Sequence, residues 1–198
     1  ESGDYSPQVI VYIMFSFPTH NNPLEKKEER GLHMNITIVC DVLGEENNGT
    51  TLAAMNLIRA LRAKGHTVTI LCPDAQKQGA PGYAVVPTRN LGIFNGYVKS
   101  NGVQLAKPDD AVIRQAIQGA DIVHVMLPFV LGRRAAQLAK DRSDIVIYTG
   151  GLGPTEDDLT KQTVALVYND SLVFNEKIRE SIAEYFAKTG YWKTEGVT

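Results

Sequence analysis

Apolar positions along the chain fall into two alternating rhythms. Asn35-Ile-Thr-Ile-Val-Cys40 is a near-continuous β-branched run with no polar face, the pattern of a strand covered on both sides in a parallel sheet. A polar loop follows, from Asp41 to Gly49. Ala54, Leu57, Ile58 and Leu61 then recur at helical spacing, with Thr50 or Thr51 placed to cap the helix and Lys64-Gly65 placed to end it. Thr67 to Leu71 is a second strand, so this stretch predicts a right-handed strand-helix-strand crossover.

The alternation continues. Tyr83 to Val86 reads as a strand, and Ala111 to Gln118 as a helix with Val112, Ala116 and Ile117 inward. Asp121 to Met126 is a strand, Phe129 to Lys140 a helix with Leu131, Ala135, Leu138 and Ala139 inward, and Asp144 to Tyr148 another buried strand. Asn175 is placed to cap a last helix whose apolar face is Ile178, Ile182, Tyr185 and Phe186, with Gly190 as its stop. The expected fold is α/β: a three-layer, Rossmann-like open parallel sheet with helices on both faces.

Between Pro73 and Asp109 the rhythm lapses into turns, a loop length that points to function or mobility. Tyr83, Arg89, Phe94 and Tyr97 can contact a ligand there, although plain packing and solvation explain each of them more simply. Residues 1–33 form an extension of unassigned role, and 191–198 a tail. Val9 to Phe17 is apolar but far shorter than the ~20 residues a membrane helix needs. Glu1 and Asp4 precede it without a basic residue, which makes a poor signal peptide. The expectation is a cytoplasmic protein with no membrane span.

Composition changes this picture little. With 43% hydrophobic residues among 198, the chain can bury a core of ordinary size. A net charge of -2 leaves no electrostatic footprint for nucleic acid. Cys40 and Cys72 stand at the ends of neighbouring strands, which leaves a disulfide open, although two small buried thiols are the simpler expectation. The four histidines have no metal-ligand spacing, and His124 on an apolar strand reads as a satisfied core residue more readily than as a cleft group.

The order of Met34-Asn-Ile-Thr-Ile-Val-Cys-Asp-Val-Leu, Asn48-Gly49, Leu61-Arg-Ala-Lys-Gly-His-Thr-Val-Thr-Ile70 and Asp121-Ile-Val-His-Val-Met126 resembles the amino-terminal half of bacterial family 4 glycosyltransferases, retaining enzymes of the GT-B fold. The resemblance covers residues 34–142. It implies a Rossmann-like lobe that receives the acceptor, with the Gly49 loop bordering the donor phosphates. A glycine at a helix start lets a ligand approach unpaired N–H groups, but it also simply makes a turn, and Gly49 alone does not choose.

Residues 143–190 depart from that pattern. Thr149-Gly-Gly-Leu-Gly-Pro-Thr-Glu-Asp-Asp158-Leu-Thr160, with Leu172-Val-Phe-Asn-Glu-Lys-Ile-Arg-Glu-Ser-Ile-Ala-Glu-Tyr-Phe186 after it, resembles the CinA proteins and their MoaB-type molybdopterin-binding relatives. Read from the residues, Gly150, Gly151 and Gly153 free successive amides, so that the loop can wrap a phosphate. Pro154 stiffens its exit, and Thr155 is placed to cap a helix starting near Glu156. Asp158 would then lie in the first helical turn, able to hold Mg2+ against phosphates. The resemblance makes Asp158 the catalytic and metal-binding position, and Thr149, Gly150, Gly151, Gly153 and Thr155, together with Gly49, the ligand-binding ones.

The chain thus reads as two incomplete domains joined near Asp141 to Ser143, the strand from Asp144 completing the first sheet so that both glycine loops open on one edge. Three functions follow. One is a glycosyltransferase-like lobe that binds a sugar nucleotide or acceptor and is incomplete for transfer, which needs groups from both sides of a cleft. Another is a CinA-like nucleotide or molybdopterin site with metal-assisted pyrophosphate chemistry. The third is an inactive fused product that folds and self-associates through exposed sheet edges.

Overall fold

The computed structural model describes residues 33–41, 49–89, 105–153 and 158–189. Five strands form one sheet: β1 (Asn35–Cys40), β2 (Thr67–Cys72), β3 (Tyr83–Val85), β4 (Ile122–Met126) and β5 (Ile145–Thr149). Their spatial order is β3-β2-β1-β4-β5 and every pairing is parallel. The Rossmann-like α/β architecture expected from the sequence is therefore present.

Apolar residues on alternate positions of each strand feed two cores. On one face Ile36, Ile38, Cys40, Val68, Ile70 and Cys72 pack against Ala54 and Ile58 of α1 (Gly49–Ala63). On the other, Val39, Leu71, Val123, Val125, Val146 and Tyr148 lie beneath α2 (Asp110–Ile117), α3 (Val130–Ala139) and α4 (Thr160–Val167). A fifth helix, α5 (Glu176–Thr189), follows with Ile178 and Ile182 at 57% and 39% exposure.

Helix ends follow their local chemistry with small shifts. Past Ala63, the N–H of Gly65 donates to Arg62 O and that of His66 to Leu61 O, a Schellman closure for which Gly65 takes φ +86°. Lys64 falls just outside the helix, and Arg62 is the cation of its last turn. At the other end the helix already includes Gly49, so Thr50 and Thr51 lie inside its first turn instead of capping it, and Thr51 is buried. The Asn175 cap is as expected, its Oδ1 accepting from Ile178 N at 3.2 Å.

The join at Asp141 to Ser143 is continuous in the sheet. β5 runs in register with β4, from Ile122 opposite Ile145 to Met126 opposite Thr149. His124 Nε2 and Thr149 Oγ1 are hydrogen-bonded at 2.9 Å across the two strands, and Lys140 Nζ donates to Val167 O at 3.1 Å. Cys40 and Cys72 are buried and not joined in a disulfide, and burial pushes the Cys72 thiol up to about 11, which keeps it protonated.

Candidate functional site

All five strands point the same way, so the segments after β1, β4 and β5 gather at one carboxyl edge. The chain leaves β1 for α1 on one face and leaves β4 for α3 on the other, which makes the β1/β4 boundary the switch point of the sheet.

Asp41, the residue after β1, sits at that boundary. Its Oδ1 accepts from Leu131 N at 2.7 Å and its Oδ2 from Gly132 N at 2.6 Å. The carboxylate is thus a cap supplied from another element, since Phe129 ahead of α3 offers no side-chain cap. Gly132 makes the approach feasible: a Cβ there would lie 2.8 Å from Val125 Cγ1 and 3.0 Å from Asp41 Oδ2. Burial raises the Asp41 carboxyl to about 6, against the pull of the Gly132, Leu131 and Phe129 amides and of Arg133. Sequence reasoning passed over Asp41 as part of a polar loop. The available signal was a helix whose own start, Pro128-Phe129, contains no capping residue.

The β4–α3 turn abuts the loop after β5. Leu127 holds φ +49°, a strained value for a leucine, and its N–H donates to Thr149 O at 2.7 Å. Thr163 Oγ1 donates to Pro128 O at 3.3 Å, tying α4 to the same turn. His124, below this edge, is held neutral by burial, its pKa lowered to about 4. It is a satisfied strand residue, as the simpler sequence reading had it.

In the glycine loop the need for glycine is spatial, not conformational. None of Gly150, Gly151 and Gly153 has a left-handed φ, but a Cβ on Gly151 would fall 1.5 Å from Asp158 Oδ1. One on Gly153 would lie 2.5 Å from Asp158 Oδ2, and one on Gly150 2.6 Å from Thr160 Oγ1. The room left by the missing side chains is thus occupied by the Asp158 carboxylate and the Thr160 hydroxyl. Asp158 was expected inside the first turn of a helix beginning near Glu156; α4 begins at Thr160, and Asp158 lies two positions before it. Thr155 lies outside the described residues.

Two further features mark this loop. Leu159, at the N-cap of α4, provides no side-chain cap, and Thr160 Oγ1 is buried with no hydrogen-bond partner among the described residues. The first amides of any helix have no partner within the helix itself. Gly49 stands at the same edge of the sheet at the start of α1, with nothing within 4 Å of a Cβ placed on it. Among the described residues no group of three or more His, Cys, Asp or Glu forms a metal cage, and no helix is long and apolar enough to cross a membrane.

Comparison with known proteins gives two family matches that overlap over residues 130–157. A model described as Glycosyltransferase Family 4 matches residues 47–157, and one described as Probable molybdopterin binding domain matches residues 130–196. A competence-damage inducible protein of Bacillus mycoides (strain KBAB4) is 51% identical over 63 residues, 32% of this chain and 15% of that protein. Its counterpart from Bacillus pumilus (strain SAFR-032) is 57% identical over 58 residues, covering 29% and 14%. The chain therefore spans only about 15% of the length of these curated relatives. The crystal structure of CalG4, the calicheamicin glycosyltransferase, aligns over 79% of this chain and 43% of its own at 18% identity, with a TM-score of 0.36.

Proposed function

The chain belongs to Glycosyltransferase Family 4, matched over more than half its length, and from that premise we propose that it binds the phosphates of a nucleotide-type ligand, a sugar nucleotide in the family's terms, in the loop from Thr149 to Gly153. The observation that carries this reading is the Thr160 hydroxyl, buried without a partner among the described residues, beside Gly150 at a helix start whose N-cap residue offers no side-chain cap. A phosphate oxygen at that point would satisfy the hydroxyl and the first amides of α4 together. Gly49, across the same sheet edge, leaves room for the rest of the ligand.

Asp158 sets the condition for binding. Its carboxylate fills the space a phosphate would approach, so the ligand must either displace it or share its charge through a cation. Mg2+ is bound through one or two carboxylates plus phosphate oxygens, and Asp158 offers one such carboxylate. In this reading the chain's task is binding; Asp158 holds the cation, and Thr149 fixes its end of the loop through His124.

A second reading is favoured by where the close relatives fall. The 51–57% identity to the competence-damage inducible proteins and the molybdopterin-domain match both lie over the later part of the chain. The same loop would then take a nucleotide diphosphate or a pterin phosphate, with a cation on Asp158 assisting water attack on a pyrophosphate.

Thermal shift separates the two, because a ligand selective for the folded state raises the melt by an amount set by RT ln(1+[L]/Kd). A UDP- or GDP-sugar that raises the melt of the wild type, but not of Thr160→Val, supports the first reading. A response to ADP-ribose only with Mg2+, lost in Asp158→Ala, selects the second. No response to either ligand class, with or without Mg2+, overturns both.

A further inference from the structure

Four buried side-chain polar atoms have no hydrogen-bond partner among the described residues, and two of them stand at the starts of neighbouring helices. One is Nε of Arg133, in the first turn of α3, and the other is Oγ1 of Thr160, the first residue of α4. A buried polar group without a partner is costly, so each calls for something to fill it. Thr160 is only 5% exposed, which leaves bulk water little access to its hydroxyl.

The two residues belong to one seam. Lys140, at the C-cap of α3, donates from Nζ to the carbonyl of Val167, the last residue of α4, at 3.1 Å, so this flank of α3 faces α4. Arg133 stands seven positions earlier, about 20° short of two full turns, and therefore lies on the same flank. On α4 the buried residues are Thr160, Thr163 and Val167, a single stripe turned inward. The bond from Thr163 Oγ1 to Pro128 O brings the first turn of α4 against the turn that opens α3. Helical side chains lean toward the helix N-terminus, so Arg133 leans toward the sheet edge where Thr160 and the glycine loop lie.

Neighbouring arginines differ here. Arg134 is paired with Asp110 of α2, through Nε at 2.8 Å and Nη2 at 2.5 Å. Arg133 forms no ion pair among the described residues. Asp41 feels its charge, but the Asp41 oxygens accept from the Leu131 and Gly132 amides. A cation in the first turn of a helix also works against the helix dipole. That placement costs stability unless an anion joins it.

We propose that Arg133 and Thr160 form one anion seat at the head of the α3–α4 seam, which holds a phosphate group of the ligand by a charge-assisted bond from the guanidinium and a second bond from the hydroxyl. The proposal rests on the reading above for the ligand's identity and adds the residue that balances its charge. The glycine loop lines the seat, since a Cβ on Gly150 would lie 2.6 Å from Thr160 Oγ1. With a resident cation a phosphate enters without a metal, and Mg2+ on Asp158 adds to a seat that is already charged. A guanidinium fork matches the paired oxygens of phosphate and pyrophosphate.

The probe is inorganic pyrophosphate, titrated calorimetrically into the full chain with EDTA present. The wild type should bind it, and Arg133→Gln should weaken binding about tenfold or more, the loss of one charge-assisted hydrogen bond. Arg133→Lys keeps the charge without the planar fork and should fall between the two. Affinity should also drop more steeply with salt in the wild type than in Arg133→Gln. A wild type that does not bind pyrophosphate, or binds it only with Mg2+, overturns the proposal. So does equal affinity in Arg133→Gln, the result a purely structural arginine would give whatever happens to the melt. Should Arg133→Gln fail to fold, an Arg133→Lys affinity equal to wild type is the overturning result. A UDP- or GDP-sugar response lost in Thr160→Val but kept in Arg133→Gln leaves the nucleotide site standing and removes Arg133 from it. Pyrophosphate binding that depends on Arg133, with no response to nucleotide sugars or ADP-ribose, keeps the seat and ends the nucleotide reading.

Discussion

Two helices start at the same edge of the sheet and are finished in opposite ways. At α3 both oxygens of a buried carboxylate, Asp41, accept first-turn amides, and Gly132 lets them approach. At α4 the N-cap residue is a leucine, the Thr160 hydroxyl has no partner among the described residues, and the carboxylate of Asp158 lies against the glycine loop. One start is sealed by a carboxylate from another element, and the other gets no cap from its own N-cap side chain and has a buried hydroxyl without a partner among the described residues. Equivalent substitutions at the two places should therefore behave differently.

The largest difference should come from removing each acid. Asp41→Ala strands two buried amides, each worth roughly 1–3 kcal/mol when left without an acceptor. A loss of about 3 kcal/mol lowers the melt by roughly 10 °C for a chain of this size. Asp158→Ala, at a half-buried carboxylate beside an open loop, is expected to cost less than about 1 kcal/mol and to act on ligand response instead. Equal losses in a calorimetric comparison would erase the distinction between a structural and a functional acid.

The pH dependence sharpens the contrast within the sealed region. The folded Asp41 carboxyl is raised from 3.8 to about 6, so its contribution is fully favourable below about pH 4 and is lost as pH rises through 6. His124 is lowered from 6.5 to about 4, so the unfolded chain takes up the proton first and stability is lost as pH falls from 6.5 toward 4. Each shift amounts to about 3 kcal/mol at 1.36 kcal/mol per unit, with opposite signs over nearly the same window. Wild-type stability from these two groups should therefore be nearly flat between pH 4 and 6. Asp41→Asn should leave a profile that falls toward acid, and His124→Gln one that rises toward acid, by urea titration. Parallel profiles for the two variants would refute the assignment.

Much of this fold was legible because its signals are local. The unbroken apolar runs at β1, β2, β4 and β5, the Gly65 stop and the Asn175 cap each depend on residues a few positions apart. The parts that were not legible depend on partners distant in sequence. Asp41 lies 90 residues from the amide of Leu131 that it satisfies, so no window on the chain joins them. The α4 start slipped from Glu156 to Thr160 because a plausible cap in sequence does not fix where a loop ends. For the glycine motif the physical reason changed: the glycines make room for Asp158 and Thr160, where the sequence suggested only freed amides.

That difference in reason is open to a small, precise test with one methyl group. Gly49 and Gly151 were both candidate ligand positions, and both stand at the carboxyl edge. A Cβ on Gly49 meets nothing within 4 Å, and alanine is the better helix former, so Gly49→Ala should keep the melt within about 2 °C of wild type or raise it. On Gly151 the same atom would sit 1.5 Å from Asp158 Oδ1 and 3.2 Å from Asp158 Cα, and the second contact is backbone that no side-chain rotation relieves. Gly151→Ala should therefore push the Asp158 segment outward, cost roughly 1–3 kcal/mol as overpacking does, and abolish any nucleotide-induced shift. If Gly151→Ala melts like wild type while Gly49→Ala loses the ligand response, the binding seat belongs after β1, and the open helix start at Thr160 is only a weak point in packing.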